Sequence, residues 1–558
     1  MNKYLLLFLL FTGFSVEINS QNIPFKSLKS KEFEDEYKKS SIVLSENDGN
    51  GNLLLVRSYY ANGISLNRGF YIEHYDSNLK LVKDFEFEIK HPNTQKFNTI
   101  IGVNYIENHI NIIEIFYDLN EKHYICQANR ISNDFKVSKK ELFRLRNDDV
   151  MKYGNLAIQH NCIVQSNHLF NFDNSGDINS ETDNINDNFF NFSQKYSMVK
   201  GGFVNNFTMV TNETKTDFSI AIDFYGKKEE FLKLYLFDNK LNKKFESEFK
   251  REIKDNKYFF QNIQVSPEGD AIYLLGKSYS KELKKKEKGG KYQFELTKIT
   301  ANNQKSEIIN PQEHYINTLR TVFHKNQLIC LGFYSDINED KFQGIIYFSF
   351  NSSTLSISKT KYNVFSDQFI IDKYGKKNDK GLKYLTFKNV FFTENDDLIL
   401  NAEEQYFRSS SSFAGPMGGF SSGQTFYNYD DIVCAKLNAE GDLLWARNIN
   451  KNQATSEEEF FISYTSYFKN DSCYFFINTD EKINEIKNNR IEFGQVRKNK
   501  SNLNVIRVNA NGDFDYEEIL DDENTAVPFM VSKGTLINNS IIFLGRKGKL
   551  KQLLKITL

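Results

Sequence analysis

The chain has little of what recognisable chemistry usually needs. Its 8 His show no His-x-His or His-Glu-x-x-His spacing, so no metal motif is present. Its 5 Cys (Cys126, Cys162, Cys330, Cys434 and Cys473) stand far apart with no Cys-x-x-Cys. Most lie in apolar strand patterns such as Ile432 to Ala435 and read as small buried hydrophobes; one long-range disulfide stays open, but an odd number cannot all pair within one chain. No Gly-x-Ser-x-Gly elbow and no Gly-rich phosphate loop before a helix occurs. Charge of one sign is lacking too: Lys+Arg 71 against Asp+Glu 72 leaves a net charge of -1, which gives no reason to expect nucleic acid or an acidic membrane surface as partner. The one basic run, Lys284 to Lys288, reads as a solvated hairpin tip. Helical periodicity is nearly absent, and beyond the N-terminal stretch no segment is apolar enough to span a bilayer.

What is present is aromatic and repetitive. Against 6 Pro and 1 Trp stand 51 Phe and 30 Tyr, a composition that suits pleated, half-buried surfaces and argues against a disordered stalk. Short apolar runs, often alternating, are bounded by Asn, Asp, Gly and Ser, the pattern of strands joined by turns. One strand–turn–strand motif keeps returning. Its clearest copy runs from Asp431 to Trp445, and related copies lie at 71–79, 234–241 and 505–513. Four-stranded units follow at 41–90, 98–145, 205–250, 258–310, 315–365, 382–450 and 460–520, with a shorter unit at 527–558. That last unit offers three strand candidates, Phe529 to Leu536, Ile541 to Leu544 and Gln552 to Leu558. A missing strand leaves an unpaired edge, and the segment Ile23 to Leu28 can supply it and close a ring.

Repeats of this kind predict an all-β fold: a single β-propeller of seven or eight four-stranded antiparallel blades, closed by N-terminal strand pairing in the last blade. A series of β-sandwiches would also give many short strands, but sandwiches do not require the same turn to return. The blade number turns on 151–203, an eroded blade or an insertion. The N-terminus reads as a signal peptide over residues 1–20: Lys3, the apolar stretch Tyr4 to Phe14, and a cleavage site after Ile18-Asn19-Ser20. The propeller then occupies 21–558. The expected location is exported, periplasmic rather than extracellular, with no transmembrane span in the mature chain.

Acidic pairs are the one class of residue that could support hydrolysis: Asp396-Asp397, Glu403-Glu404, Asp430-Asp431, Glu517-Glu518 and Asp521-Asp522. Neighbours on a strand face opposite sides, so none is by itself a carboxylate pair across a cleft; most read as turn or strand-edge residues. His74 and His109 read as ordinary surface or half-buried side chains. The stretch Asp173 to Asp183 alternates oxygen-bearing residues but has Ile178 and Asn184 where a calcium loop needs Gly and Glu. No metal, no cofactor and no assignable catalytic residue is expected. The most distinctive surface feature is the loop 408–423, which carries no charge between Arg408 and Asp430 yet holds Phe413, Met417 and Phe420. Exposed apolar residues of this kind either fold back on their own blade or land on a partner. The binding residues expected are Arg408, Phe413, Met417 and Phe420.

Around that loop, Glu404 to Phe407, Tyr429 to Ile432 and Gly441 to Lys451 resemble one blade of a group of uncharacterised, secreted propeller-like proteins of the Bacteroidetes. The resemblance is close over this blade and loose in the flanking repeats. It implies a fold and a compartment and no established activity. The chain shows no type IX sorting domain at its end. The functional expectation is a non-enzymatic envelope binding or scaffold protein that contacts an envelope protein or a glycan. A glycan hydrolase or lyase with carboxylates in the central funnel, or an accessory subunit of an outer-membrane export machine, are the alternatives. Carboxylates gathered at the ring axis would mark the enzyme.

Overall fold

The computed structural model describes residues 23–60, 68–90, 92–153, 207–224, 230–252, 258–279, 292–310, 314–336, 341–377, 382–410, 413–414, 419–420, 424–456, 459–488, 490–496 and 501–558. The expected signal peptide, the uncertain segment 151–203 from 154 onward, the acidic stretch 173–183, Cys162, the basic run 284–288 and Met417 lie outside them.

Eight antiparallel sheets follow one another along the chain as the blades of a β-propeller. Within each of the first seven, strand order in space equals order in sequence. Blade 1 shows the grammar: Lys39–Asn47, Leu53–Tyr60, Arg68–Tyr75 and Leu81–Glu88. Blade 8 departs from it. Thr535–Ile537, Ser540–Lys547 and Leu550–Thr557 supply three strands, and Lys26–Lys29 pairs antiparallel as the fourth, Lys26 opposite Thr557. Phe33–Glu34 extends the same edge against Lys551 and Leu550. The expected closure by the N-terminal segment is thus present.

There is no single core. Eight apolar clusters each straddle one junction between neighbouring blades, the last joining blade 8 to blade 1 through Ile42, Leu53, Met530 and Leu553. Each blade therefore buries both faces, which is why the middle strands read as nearly continuous apolar runs. Gly344–Phe350 is buried at every position. The outermost strands are charged instead, as in Lys243–Arg251 (KKFESEFKR), and such charges keep an exposed edge from pairing with other chains.

The recurring turn has a physical basis. Asp76, Asp238, Asn438 and Asn509 each accept two backbone N–H groups on one side-chain oxygen, at 2.8–3.0 Å. Three residues on, the chain must enter the left-handed region. In blades 1 and 3 that position is Leu79 (φ 57°) and Leu241 (φ 61°), both buried. In blades 6 and 7 it is Gly441 (φ 85°) and Gly512 (φ 87°). A Cβ there would meet the Tyr347 ring at 2.4 Å and the Trp445 ring at 3.0 Å. The same interblade space is filled by the turn's own leucine or by an aromatic from the preceding blade. A leucine at positive φ costs about 1–2 kcal/mol, offset by burying its side chain at roughly 2 kcal/mol.

Two expectations about elements are corrected. Phe529 to Leu536 is not a strand: a 3-10 turn at Val531–Lys533 precedes a short inner strand, and Phe529 makes one isolated bridge to Gly545. The run's apolar residues plug the junctions, Met530 toward blade 1 and Val531 toward blade 7, instead of lying in a ladder. The loop 408–423 is likewise not all irregular. Leu398–Ser410 and Gln424–Leu437, at 13 and 14 residues, stay paired to Ser410 opposite Gln424, and Phe413–Ala414 pairs Gly419–Phe420 at the tip.

Candidate functional site: the arm of blade 6 and the mouth of the bore

We call the upper face the one where the outermost strand of a blade passes to the innermost strand of the next. There, six strand pairs from Gln405–Tyr429 to Ser410–Gln424 carry the middle hairpin of blade 6 beyond its blade. At about 3.4 Å per residue this arm is roughly 20 Å long. A short strand, Gln453–Thr455, braces its base against Tyr427 to Tyr429.

Where the arm leaves the blade, the register slips. Glu403 faces Ile432 and Gln405 faces Tyr429, so Glu404 stands opposite both Asp430 and Asp431. This bulge brings carboxylates from two strands to one place. Into it reaches Lys373 from the helix Asp367–Tyr374. That helix is capped by Ser366, whose Oγ accepts from the Phe369 N–H, and ends at Gly375 with φ 74°. Asp372 anchors it to blade 6 by a forked pair with Arg447, Nε–Oδ2 at 2.6 Å and Nη2–Oδ1 at 3.2 Å. Lys373 Nζ then lies 2.7 Å from Glu404 Oε2 and 2.7 Å from Asp431 Oδ2.

The three charges are not equally satisfied. Asp431 also accepts from Asn448 Nδ2 at 2.8 Å and from the Lys451 N–H at 3.0 Å. Glu404 has Lys373 alone among the described hydrogen bonds. Burial pushes the Glu404 carboxyl up to about 7, Lys373 pulling against it and Asp431 adding to it. Burial works against the Lys373 charge, but Asp431 and Glu404 outweigh it and hold its pKa above the ordinary lysine value. Asp430 is raised as well, chiefly by burial. On the opposite face of the strand Glu403 is fully buried, 2.9 Å from Lys451 Nζ and 3.3 Å from Lys388 Nζ, and accepts from Ser463 Oγ at 2.6 Å.

Two sequence readings are corrected here. Glu403, Glu404 and Asp431 are buried strand residues, not turn or edge acids. His74 is fully buried, its Nδ1 2.9 Å from Asp48 Oδ2 in the first turn of blade 1. Both misreadings have one cause: the partners that make burial tolerable lie far away in sequence. Glu403 and Glu404 do point to opposite faces, as expected, whereas the bulge brings Asp430 and Asp431 both to the Glu404 side.

Of the expected binding residues, Arg408 is exposed on the arm. Its Nη2 donates to the Tyr406 hydroxyl at 2.9 Å and its guanidinium lies 5.0 Å from the Tyr406 ring centroid. Tyr406 in turn packs against Tyr384 at 5.2 Å and donates to Asp430 Oδ2 at 2.6 Å. Tyr384 is held at the arm's base by the Gln405 N–H, which donates to its carbonyl. The result is a partly exposed line of Tyr384, Tyr406 and Arg408 beside Asp430. Sequence reasoning missed both tyrosines; the i, i+2 spacing of Tyr406 and Arg408 on one strand face was the available signal. Phe413 and Phe420 face each other in the tip pairing.

The second upper-face feature is the mouth of the bore. The eight innermost strands start at this face; they carry Lys39 and Lys96 near their upper ends, Arg320 and Lys388 further down, and Lys469 and the one acid, Glu46, near their lower ends. Neighbouring inner strands are tied by polar contacts: Asn262 Nδ2 to Thr321 Oγ1 at 2.8 Å, Arg320 Nη1 to the Gln261 carbonyl at 3.2 Å, and Asn389 Nδ2 to Ser466 Oγ at 2.6 Å. The buried carboxylates Glu403, Glu404 and Asp431 thus lie within blade 6, each beside a lysine, and not on the strands that line the axis. No group of three or more His, Cys, Asp or Glu suited to a metal occurs among the described residues.

No family model matches the chain, and no curated protein matches it. Solved structures do. Prolyl oligopeptidase B from Galerina marginata matches at 8% identity and a TM-score of 0.34, over 90% of this chain and 55% of that one. An acylaminoacyl peptidase from Pyrococcus horikoshii matches at 7% and 0.31, over 80% of this chain and 49% of the other. The β-propeller domain of the Trilobed protease from Pyrococcus furiosus matches at 7% and 0.30, over 75% of this chain and 94% of the domain. The chain spans about half the length of the two peptidases. At such identities the likeness is of fold alone, and the propeller assignment rests on the strand pairing above. Among the described residues no helix is long and apolar enough to cross a membrane.

Proposed function

We propose that this protein is a non-enzymatic binding protein of the bacterial envelope that grips a glycan with the arm of blade 6. The observation that carries the reading is the partly exposed Tyr384–Tyr406–Arg408 line on a hairpin braced at its base. Tyrosine rings offer flat apolar faces with a polar tip, the surface a sugar ring stacks on, and Asp430 and Arg408 supply the acceptor and donors that hydroxyl groups need. Phe413, Met417 and Phe420, expected from the sequence as contact residues, would extend the contact. Export to the periplasm, read from residues 1–20, would place the arm among envelope glycans. A hydrolase reading has less to stand on, because the inner strands hold a single acid and Glu404 is sealed under Lys373.

The test is binding of soluble oligosaccharides on an array, followed by calorimetry on any hit. Tyr406→Ala and Arg408→Ala should each weaken binding at least tenfold while leaving the circular dichroism spectrum unchanged. Equal binding by wild type and both variants would remove the arm as the contact surface.

A further inference from the structure

We propose that Cys434 and Cys473 are the two halves of an interblade disulfide, formed by thiol–disulfide exchange as the exported chain folds, which staples the blade that bears the arm to blade 7. Its oxidising surroundings rest on the export proposed above; the pairing itself rests on the fold. Asn389, Asn401, Cys434 and Arg447 stand opposite one another across the four strands of blade 6. This row faces blade 7. Asn389 Nδ2 donates to Ser466 Oγ at 2.6 Å, Asn401 Nδ2 donates to Cys473 Sγ at 3.2 Å, and Arg447 donates to the Gly512 carbonyl. Cys434 is the remaining member of the row, beside Asn401. The group it meets on blade 7 is the Cys473 thiol, within hydrogen-bonding reach.

The other described cysteines are placed differently. All four are buried free thiols. Cys126 lies in the junction of blades 2 and 3 and Cys330 in that of blades 4 and 5, whereas Cys434 and Cys473 share one cluster, 0% and 1% exposed. A thiol among apolar side chains is a small hydrophobe; two thiols held together from different blades are the reactants of a cross-link. The thiolate of one attacks a disulfide R–S–S–R of the compartment and expels RS⁻, and the thiolate of the other attacks the mixed disulfide and expels the second RS⁻. The chain gives up two protons and two electrons, and the oxidant leaves as two RSH. Burial sets the timing. Desolvation, and then the neighbouring Cys473, push the Cys434 thiol well above its ordinary value, so the packed junction offers little attacking thiolate. Exchange therefore belongs to the stage before blades 6 and 7 close on each other, and the finished bond is shielded from reductant. It runs from the strand Gln424–Leu437, whose other end forms the arm, to the strand Ser472–Thr479 of blade 7.

The test is made on the full chain, unfolded, reduced and refolded in a buffer of oxidised and reduced glutathione. After an acid quench, alkylation in denaturant and digestion with trypsin, mass spectrometry should find peptide 409–436 joined to peptide 470–482, with Cys126 and Cys330 alkylated. Cys434→Ser and Cys473→Ser should each abolish the joined peptide. The melting temperature gives a second readout that needs no substitution: wild type refolded with glutathione should melt higher than wild type refolded with a phosphine reductant. Free thiols at both positions after refolding with glutathione, a dominant pairing of either with Cys162, or an oxidised form that melts no higher than the reduced one would overturn the proposal. Chain recovered from the bacterial envelope tests the compartment separately. Free thiols there, together with a bond formed on refolding, would overturn export and not the pairing.

Discussion

Glu404 shows how a single side chain can be out of balance inside a stable fold. Its usual pKa is 4.5, and burial raises it to about 7. In the unfolded chain the carboxyl ionises near 4.5; in the folded chain it holds its proton up to about 7. Between those values the native state binds more protons, so stability falls as pH rises through that window and the full penalty stands above it. A shift of this size corresponds to up to roughly 3 kcal/mol. Glu404→Gln cannot ionise, so its urea-unfolding free energy should change less between pH 4.5 and pH 7.5 than that of wild type. Parallel pH profiles for the two proteins would show that Glu404 is not the titrating group. None of this was legible in the sequence. An acid pair on a strand looks like a solvated edge until Lys373, 31 residues away, is known to reach it. His74 misled in the same way, because Asp48 lies 26 residues upstream.

The turn between the third and fourth strands of a blade was legible, since Asp or Asn followed three residues later by Leu or Gly specifies it locally. What the sequence did not disclose is that the leucine and the glycine are alternative answers to one packing problem. Leu241 in blade 3 accepts an unfavourable backbone for the sake of filling an interblade gap; Gly441 in blade 6 relaxes the backbone because Tyr347 fills it. Leu241→Gly should therefore destabilise the protein by about 2 kcal/mol despite removing strain, the cavity outweighing the relief. Chemical denaturation would check this, and a neutral or stabilising effect would contradict the packing account.

At the scale of the whole ring, eight similar junctions hold the blades together, and the ends meet at a seam in blade 8. Lys26–Lys29 is exposed along its length and holds the edge of Leu550–Thr557 mainly by backbone pairing. Ile23, fully buried between blades 7 and 8, pins it, with its N–H donating to Glu517 Oε2 at 2.9 Å. Deleting residues 23–34 should lower the melting temperature and expose Leu553 and Leu554 on an open edge. Light scattering should then show concentration-dependent association absent from the full-length chain. A monomeric deletion variant with an unchanged melting temperature would mean that the seam contributes nothing. This closure was foreseeable because three strand candidates at one end and one spare at the other leave a single way to complete the count.

The seam also sets an order of events during synthesis. The strand that seals the last blade leaves the ribosome more than 500 residues before its partner exists (Lys26 meets Thr557). Until residues 554–557 are made, the nascent molecule is an arc whose two ends each expose one face of a blade, and a stop before them leaves it that way. Quality control of this protein can therefore be a test of circularity: only a chain that has reached Leu550–Thr557 can close the ring and leave no open blade face for a chaperone to hold.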